Sequence, residues 1–136
     1  MSEPLALPQL LDEWHRWAEW VSDPGRDANQ SAELIGWNEF DWAVHDYPEL
    51  AWQAICEALG QQRMANHLPV LAAGPREDLL SLHGKQFIDR VESEAKRNPR
   101  FAWLLGGVWK HEMSEQIWNR VQAVWDRAGW DGISRE

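Results

Sequence analysis

Apolar residues recur along this chain at helical spacing, and proline, glycine, serine or asparagine interrupts them at short intervals. Leu10, Leu11, Trp14, Trp17, Ala18 and Val21 share one arc of a helical wheel, the core stripe of a helix with Pro8 in its first turn. Trp20 falls on the polar side between Glu13 and Arg16, with Asp12 and Glu19 further round. Its indole is either an interface anchor or a ring folded back under the loop at Ser22–Asn29. Residues 22–31 (SDPGRDANQS) are turn chemistry. Ser31 suits the cap of a helix to Val44, but Phe40, Trp42 and Val44 also alternate with period two, so residues 31–45 stay open between helix and strand. Asp46-Tyr47-Pro48-Glu49 spells a helix start, with Asp46 as cap. The helix that follows, to Leu59, is polar only over the arc of Glu49, Gln53 and Glu57, and Gly60 ends it.

A further helix is predicted over Arg63–Ala73. Gly74-Pro75 breaks the chain, and Pro75 starts a short helix to His83 with Gly84 as its C-terminal cap. Lys85–Arg97 is amphipathic through Phe87, Ile88, Val91 and Ala95, with Glu92 and Lys96 placed to pair on the wet face. Asn98-Pro99 opens a short helix that stops at Gly106-Gly107. Ser114 caps the last one, whose Ile117, Trp118, Val121, Val124, Trp125 and Ala128 lie within about 120°, with Gly129 closing it. About seven or eight short helices define an all-α fold. The expectation is one compact irregular bundle over residues 1–136, with HEAT-like hairpins as an alternative arrangement. No repeat of about 33–47 residues supports a solenoid.

Composition narrows the class. Hydrophobic residues make up 44% and charged residues 26% of the 136, which describes a globular chain. Cys56 is the only cysteine, so a disulfide framework and a thiolate zinc site are excluded and a reducing compartment is expected. No apolar run approaches the ~18 residues of a membrane span. Met1–Leu10 carries Glu3 and no basic residue, unlike a secretory signal. The formal net charge is −9. Residues 1–50 hold eleven acidic groups against Arg16 and Arg26, whereas residues 51–136 are balanced. Such a field repels nucleic acid and anionic lipid and speeds encounter with a basic partner. A solvated surface that only aids solubility is the competing account.

Eleven tryptophans stand beside one tyrosine. Most are expected in the core, with Trp20 and Trp37 as interface anchors. Catalytic motifs are thin. Gly106-Gly107 lacks the rest of a phosphate loop, and His111-Glu112-Met113-Ser114-Glu115 has glutamate where a zincin needs its second histidine. Asp41 and His45 read as a surface pair, and Cys56 as a small core residue without a base beside it. His15, His67 and His83 occupy helix edges. Arg97, Arg100 and Lys110 are interspersed with glutamates, against a nucleic-acid stripe. No metal and no cofactor is expected.

Within residues 71–122, Gly74-Pro75, Glu77-Asp78-Leu79-Leu80, His83-Gly84, Phe87-Ile88, Arg90-Val91-Glu92 and the Pro99–Trp109 block stand out. This segment resembles the bacterial domain of unknown function 6869; the acidic N-terminal third lies outside the resemblance. The resemblance implies a small cytoplasmic bacterial protein and assigns no activity. Glu77, Asp78, His83 and Arg90 would either lock two consecutive helices together or line a small-molecule or catalytic pocket. The leading expectation is a non-catalytic protein, most concretely an immunity or antitoxin-type inhibitor covering a basic toxin or nuclease surface. Asp12, Glu13, Glu19, Asp23, Asp27, Glu33, Glu39 and Asp41 would supply charge beside Arg16, with Trp20 and Trp37 as anchors. A small enzyme using the Glu77–Arg90 set, and a helical adaptor or homo-oligomer, are the alternatives.

Overall fold

In a computed structural model the chain is all-α; the structure describes residues 3–110 and 112–128, the side chains of 31–33 excepted. The chain forms two compact units, Met1–His67 and Leu68–Glu136. No strand occurs among the described residues, so the period-two alternation at Phe40–Val44 belongs to a helix. Six helices of seven residues or more stand among them, close to the expected number.

In the first unit, α1 (Leu7–Ser22) has Pro8 in its first turn and buries Leu10, Leu11, Trp14 and Ala18, as the wheel requires. The helix expected from Ser31 starts later. Residues Ala28–Glu33 form a 3-10 turn, and α2 (Gly36–Asp46) begins without a side-chain cap. Its start is fixed by packing. A Cβ on Gly36 would lie 2.1 Å from the carbonyl oxygen of Glu13 and 2.6 Å from the Cα of Trp14, so two backbones touch where only glycine fits. Phe40 then meets Trp14 edge-on at 6.1 Å. α3 (Pro48–Leu59) begins at the expected proline, but Asp46 does not cap it. The Asp46 carboxylate instead accepts from the Trp42 indole Nε1 at 2.9 Å. Ala51, Ala54, Ile55, Ala58 and Leu59 are buried, while Cys56 is only half-buried. A 3-10 turn, Gln62–His67, packs on α1 and α3 and buries Met64.

The helix expected over Arg63–Ala73 is thus divided. After the 3-10 turn come α4 (Leu68–Leu71) and a π-turn (Ala72–Arg76) that runs into α5 (Glu77–Arg97). Pro75 has no N–H to donate to the preceding turn, and the wider π-turn accommodates its ring. Arg76 is wholly buried, with its guanidinium 3.7 Å from the Phe101 ring. The break expected at His83–Gly84 is a kink within α5: His83 leaves helical geometry (φ −128°, ψ 25°) and the helix resumes. Gly84 is therefore no C-terminal cap. A Cβ there would lie 3.0 Å from Cγ2 of Ile117, so this glycine admits α7 (Glu115–Val124) against α5. α6 (Pro99–Leu105) is capped by the Asn98 side chain, which accepts from Arg100 N–H, and α7 by Ser114, which accepts from Ile117 N–H. α7 ends at Val124, short of Ala128; Gly129 lies outside the described residues.

Glu92 does not reach for Lys96. Its carboxylate takes two hydrogen bonds from Arg120 on α7, at 2.9 and 2.5 Å, and Arg120 also donates to Asp89 at 2.7 Å. The Arg120 hydrogen bonds hold the Glu92 carboxyl below its ordinary range, and the two carboxylates hold the guanidinium more firmly protonated.

The tryptophans also depart from expectation. Among the described residues only Trp14 is fully buried, and most of the others are half-buried at the rim. There the ring covers the core while the N–H serves a loop: Trp20 donates to Asp27 O at 2.9 Å and Trp103 to Ala128 O at 2.8 Å.

Gly36→Ala is expected to cost more than about 3 kcal/mol in denaturant unfolding, because a backbone must move. Gly74→Ala meets nothing within 4 Å and should stabilise by roughly 0.4–1 kcal/mol. Arg120→Gln should lower the unfolding midpoint at neutral pH. Because the folded-state pKa of Glu92 is depressed, its contribution is present above the unfolded carboxylate value and disappears as pH falls through the folded one. The gap between wild type and Arg120→Gln should therefore close in acid, as unfolding curves at the two pH values would show.

Candidate functional site

The boundary between the compact units sharpens the charge map. Residues 1–67 carry twelve acidic and three basic groups, and residues 68–136 ten of each. The whole of the −9 belongs to one unit.

Within that unit the acidic side chains are not equivalent. Asp12 pairs with Arg63 at 2.7 Å, and Glu13 with Arg16 at 3.2 Å. Asp23 and Asp27 accept from the N–H groups of Gly25 and Asn29, fixing the loop after α1. Asp41 lies 3.6 Å from His45, one helical turn on. Glu39 is half-buried, with one carboxylate oxygen out of contact with solvent. The side chain of Glu33 lies outside the described residues. These carboxylates organise the unit locally while their excess over the three arginines sets its field.

The structure separates the two tryptophan candidates. Trp20 is half-buried, with its N–H committed to Asp27 O and the Arg26 guanidinium 5.4 Å from its ring. It takes the fold-back arrangement over the Ser22–Asn29 loop. Trp37, in the first turn of α2, is 43% exposed, and Ile35 just before it is 41% exposed. Ile35 could not be picked out from the letters, because a lone isoleucine before a helix carries no signal of exposure.

In the second unit, Glu77, Asp78, His83 and Arg90 all lie on α5. Glu77 accepts from the Trp109 backbone N–H at 3.0 Å, and the Arg90 guanidinium lies 5.1 Å from the Phe87 ring. A cavity of about 370 Å³ opens at the kink, lined by His83 with Leu80, Ser81, Glu112, Ser114 and Ile117 among others, but not by Glu77, Asp78 or Arg90. His111 lies outside the described residues, so the zincin-like string has no described geometry.

One convergence emerges only from the fold. His15 and Glu19 stand one turn apart on α1, and His67 ends the 3-10 turn packed against it. The same Glu19 oxygen lies 3.1 Å from His15 Nε2 and 3.3 Å from His67 Nε2, and the two rings meet edge-on at 5.4 Å. The i,i+4 spacing of His15 and Glu19 is the only local signal; His67, far along the chain, arrives by tertiary folding.

The fold and this surface define an all-helical protein with an acidic unit that exposes apolar side chains at the start of α2. The chain belongs to the family of unknown function DUF6869, which matches residues 25–129. The match reaches well beyond residues 71–122, taking in α2 and α3, and leaves α1 outside. No curated protein and no solved structure matches the chain. Among the described residues no helix is long and apolar enough to cross a membrane.

Trp20→Phe keeps the ring and deletes its N–H, so thermal unfolding should reveal a loss of about 1 kcal/mol. An unchanged midpoint would mean that the bond to Asp27 does not secure the loop.

Proposed function

We propose that the protein is a non-catalytic binder whose acidic unit docks on a basic surface of another protein. The observation that carries this reading is the confinement of the entire net charge to residues 1–67. Long-range attraction would set the encounter rate, and apolar side chains buried on contact would set the residence time. The anchor of choice is Trp37 with Ile35, because Trp20 already spends its N–H and much of its ring on its own loop. The most concrete version is an immunity or antitoxin-type inhibitor occluding the basic active site of a toxin that attacks nucleic acid. A ligand-binding role in the second unit is less supported, since only His83 of the four polar candidates lines the cavity there.

The test compares capture of basic proteins at low and moderate salt by the intact chain, by Trp37→Ala and by an Asp12→Asn/Glu13→Gln pair. The expected outcome is one basic partner whose association slows with salt and in the charge variant. Trp37→Ala should weaken binding by about 2 kcal/mol, roughly 30-fold, with its unfolding midpoint unchanged. Capture indifferent to salt and to both variants would sink the proposal.

A further inference from the structure

We propose that His15, Glu19 and His67 form a binding site for a divalent transition-metal cation of the zinc class. Their donor atoms all lie within 4.8 Å of one another, and two of the three separations, 3.1 and 3.3 Å, run from one Glu19 oxygen to the two Nε2 atoms. A tetrahedral ion with bonds of about 2.0–2.1 Å sets its ligand atoms about 3.3 Å apart. Two edges thus already have the required length, and the third, between the two imidazoles, is no longer than 4.8 Å and would close by rotation of the His15 ring. Two imidazoles and one carboxylate suit zinc and its neighbours; calcium and magnesium demand more oxygen ligands.

The cluster leaves a buried nitrogen without an aligned partner. His15 Nε2 is buried and makes no aligned hydrogen bond, although the Glu19 oxygen stands 3.1 Å away. An ion between the two atoms would take a lone pair from each and turn this poorly aligned contact into two bonds. His67 is only 4% exposed, so its ring has one fixed outlook, while Glu19 is 60% exposed and faces water. A cavity of about 330 Å³, lined by His15, Glu19, Trp20, Gln30 and others but not by His67, adjoins the cluster and would give an ion its approach from the Glu19 side and room for a water as fourth ligand. Arg16 borders the same cavity, but its guanidinium is turned to Glu13. The −9 of the surrounding unit raises the local concentration of cations.

The third ligand is also held independently of the other two. The Arg63–Asp12 pair fastens the 3-10 turn to α1, so His67 is delivered before any ion arrives. A bound ion would then act as a second rivet between that turn and α1.

The experiment uses the full chain stripped with chelator and titrated with zinc in a calorimeter, then with cobalt under visible absorption. The expected result is one ion per chain, cobalt bands of a tetrahedral nitrogen–oxygen site, and no response to magnesium. Saturating zinc should raise the unfolding midpoint by roughly 5 °C. Glu19→Gln and His15→Gln should each weaken binding at least about tenfold, while His45→Gln, which alters the exposed His45–Asp41 pair, should bind as wild type. His67→Gln is compared only after its circular dichroism matches wild type; if it does not fold, the Glu19 and His15 variants decide the outcome. No heat and no cobalt bands, or an affinity unchanged in Glu19→Gln and His15→Gln, would overturn the site. Loss of binding in His45→Gln would overturn it too.

Discussion

The first unit depends on a place where two backbones meet with nothing between them. At Gly36, α2 lies against the carbonyl of Glu13 and the Cα of Trp14, closer than any side chain allows. That contact fixes where α2 begins and how far it stands from α1, and the Trp14–Phe40 edge contact fills the space around it. It also determines what α1 shows to water. With Trp14 and Ala18 turned inward, His15 and Glu19 are carried on the flank that receives His67.

The second unit solves a different problem, the burial of a cation. Arg76 sits inside with its guanidinium on the face of Phe101, where the aromatic quadrupole partly replaces lost hydration. Arg76 is the last residue of the π-turn, whose wider winding changes the phase between the residues before and after it. The His83 kink then bends α5, the glycine beside it lets Ile117 approach, and Arg120 ties α7 to Glu92 and Asp89.

What the letters disclosed follows from the range of the forces involved. Helix starts governed by neighbours in sequence were legible: Pro8, Pro48, Asn98-Pro99 and Ser114 all mark real beginnings. Features decided by distant partners were not. Ser31 has the chemistry of a cap, yet the demand at Gly36 overrules it. Gly84 has the chemistry of a terminator, yet its service is to Ile117. Glu92 has a lysine one turn away and binds an arginine 28 residues off. The acidic character of the first third was plain from composition, but that the excess ends with the unit at His67 needed the fold. The tryptophans misled for a related reason: size argues for burial, but an indole N–H wants an acceptor, and the rim satisfies both.

The partition of charge also governs how copies of this chain meet one another. Two molecules approaching through residues 1–67 repel as like-charged colloids, whereas residues 68–136 carry no net charge to hold them apart. That neutral unit also exposes Leu82 and Trp109. In a concentrated solution, the electrostatic cost of self-contact is therefore greater through the acidic unit than through the neutral one.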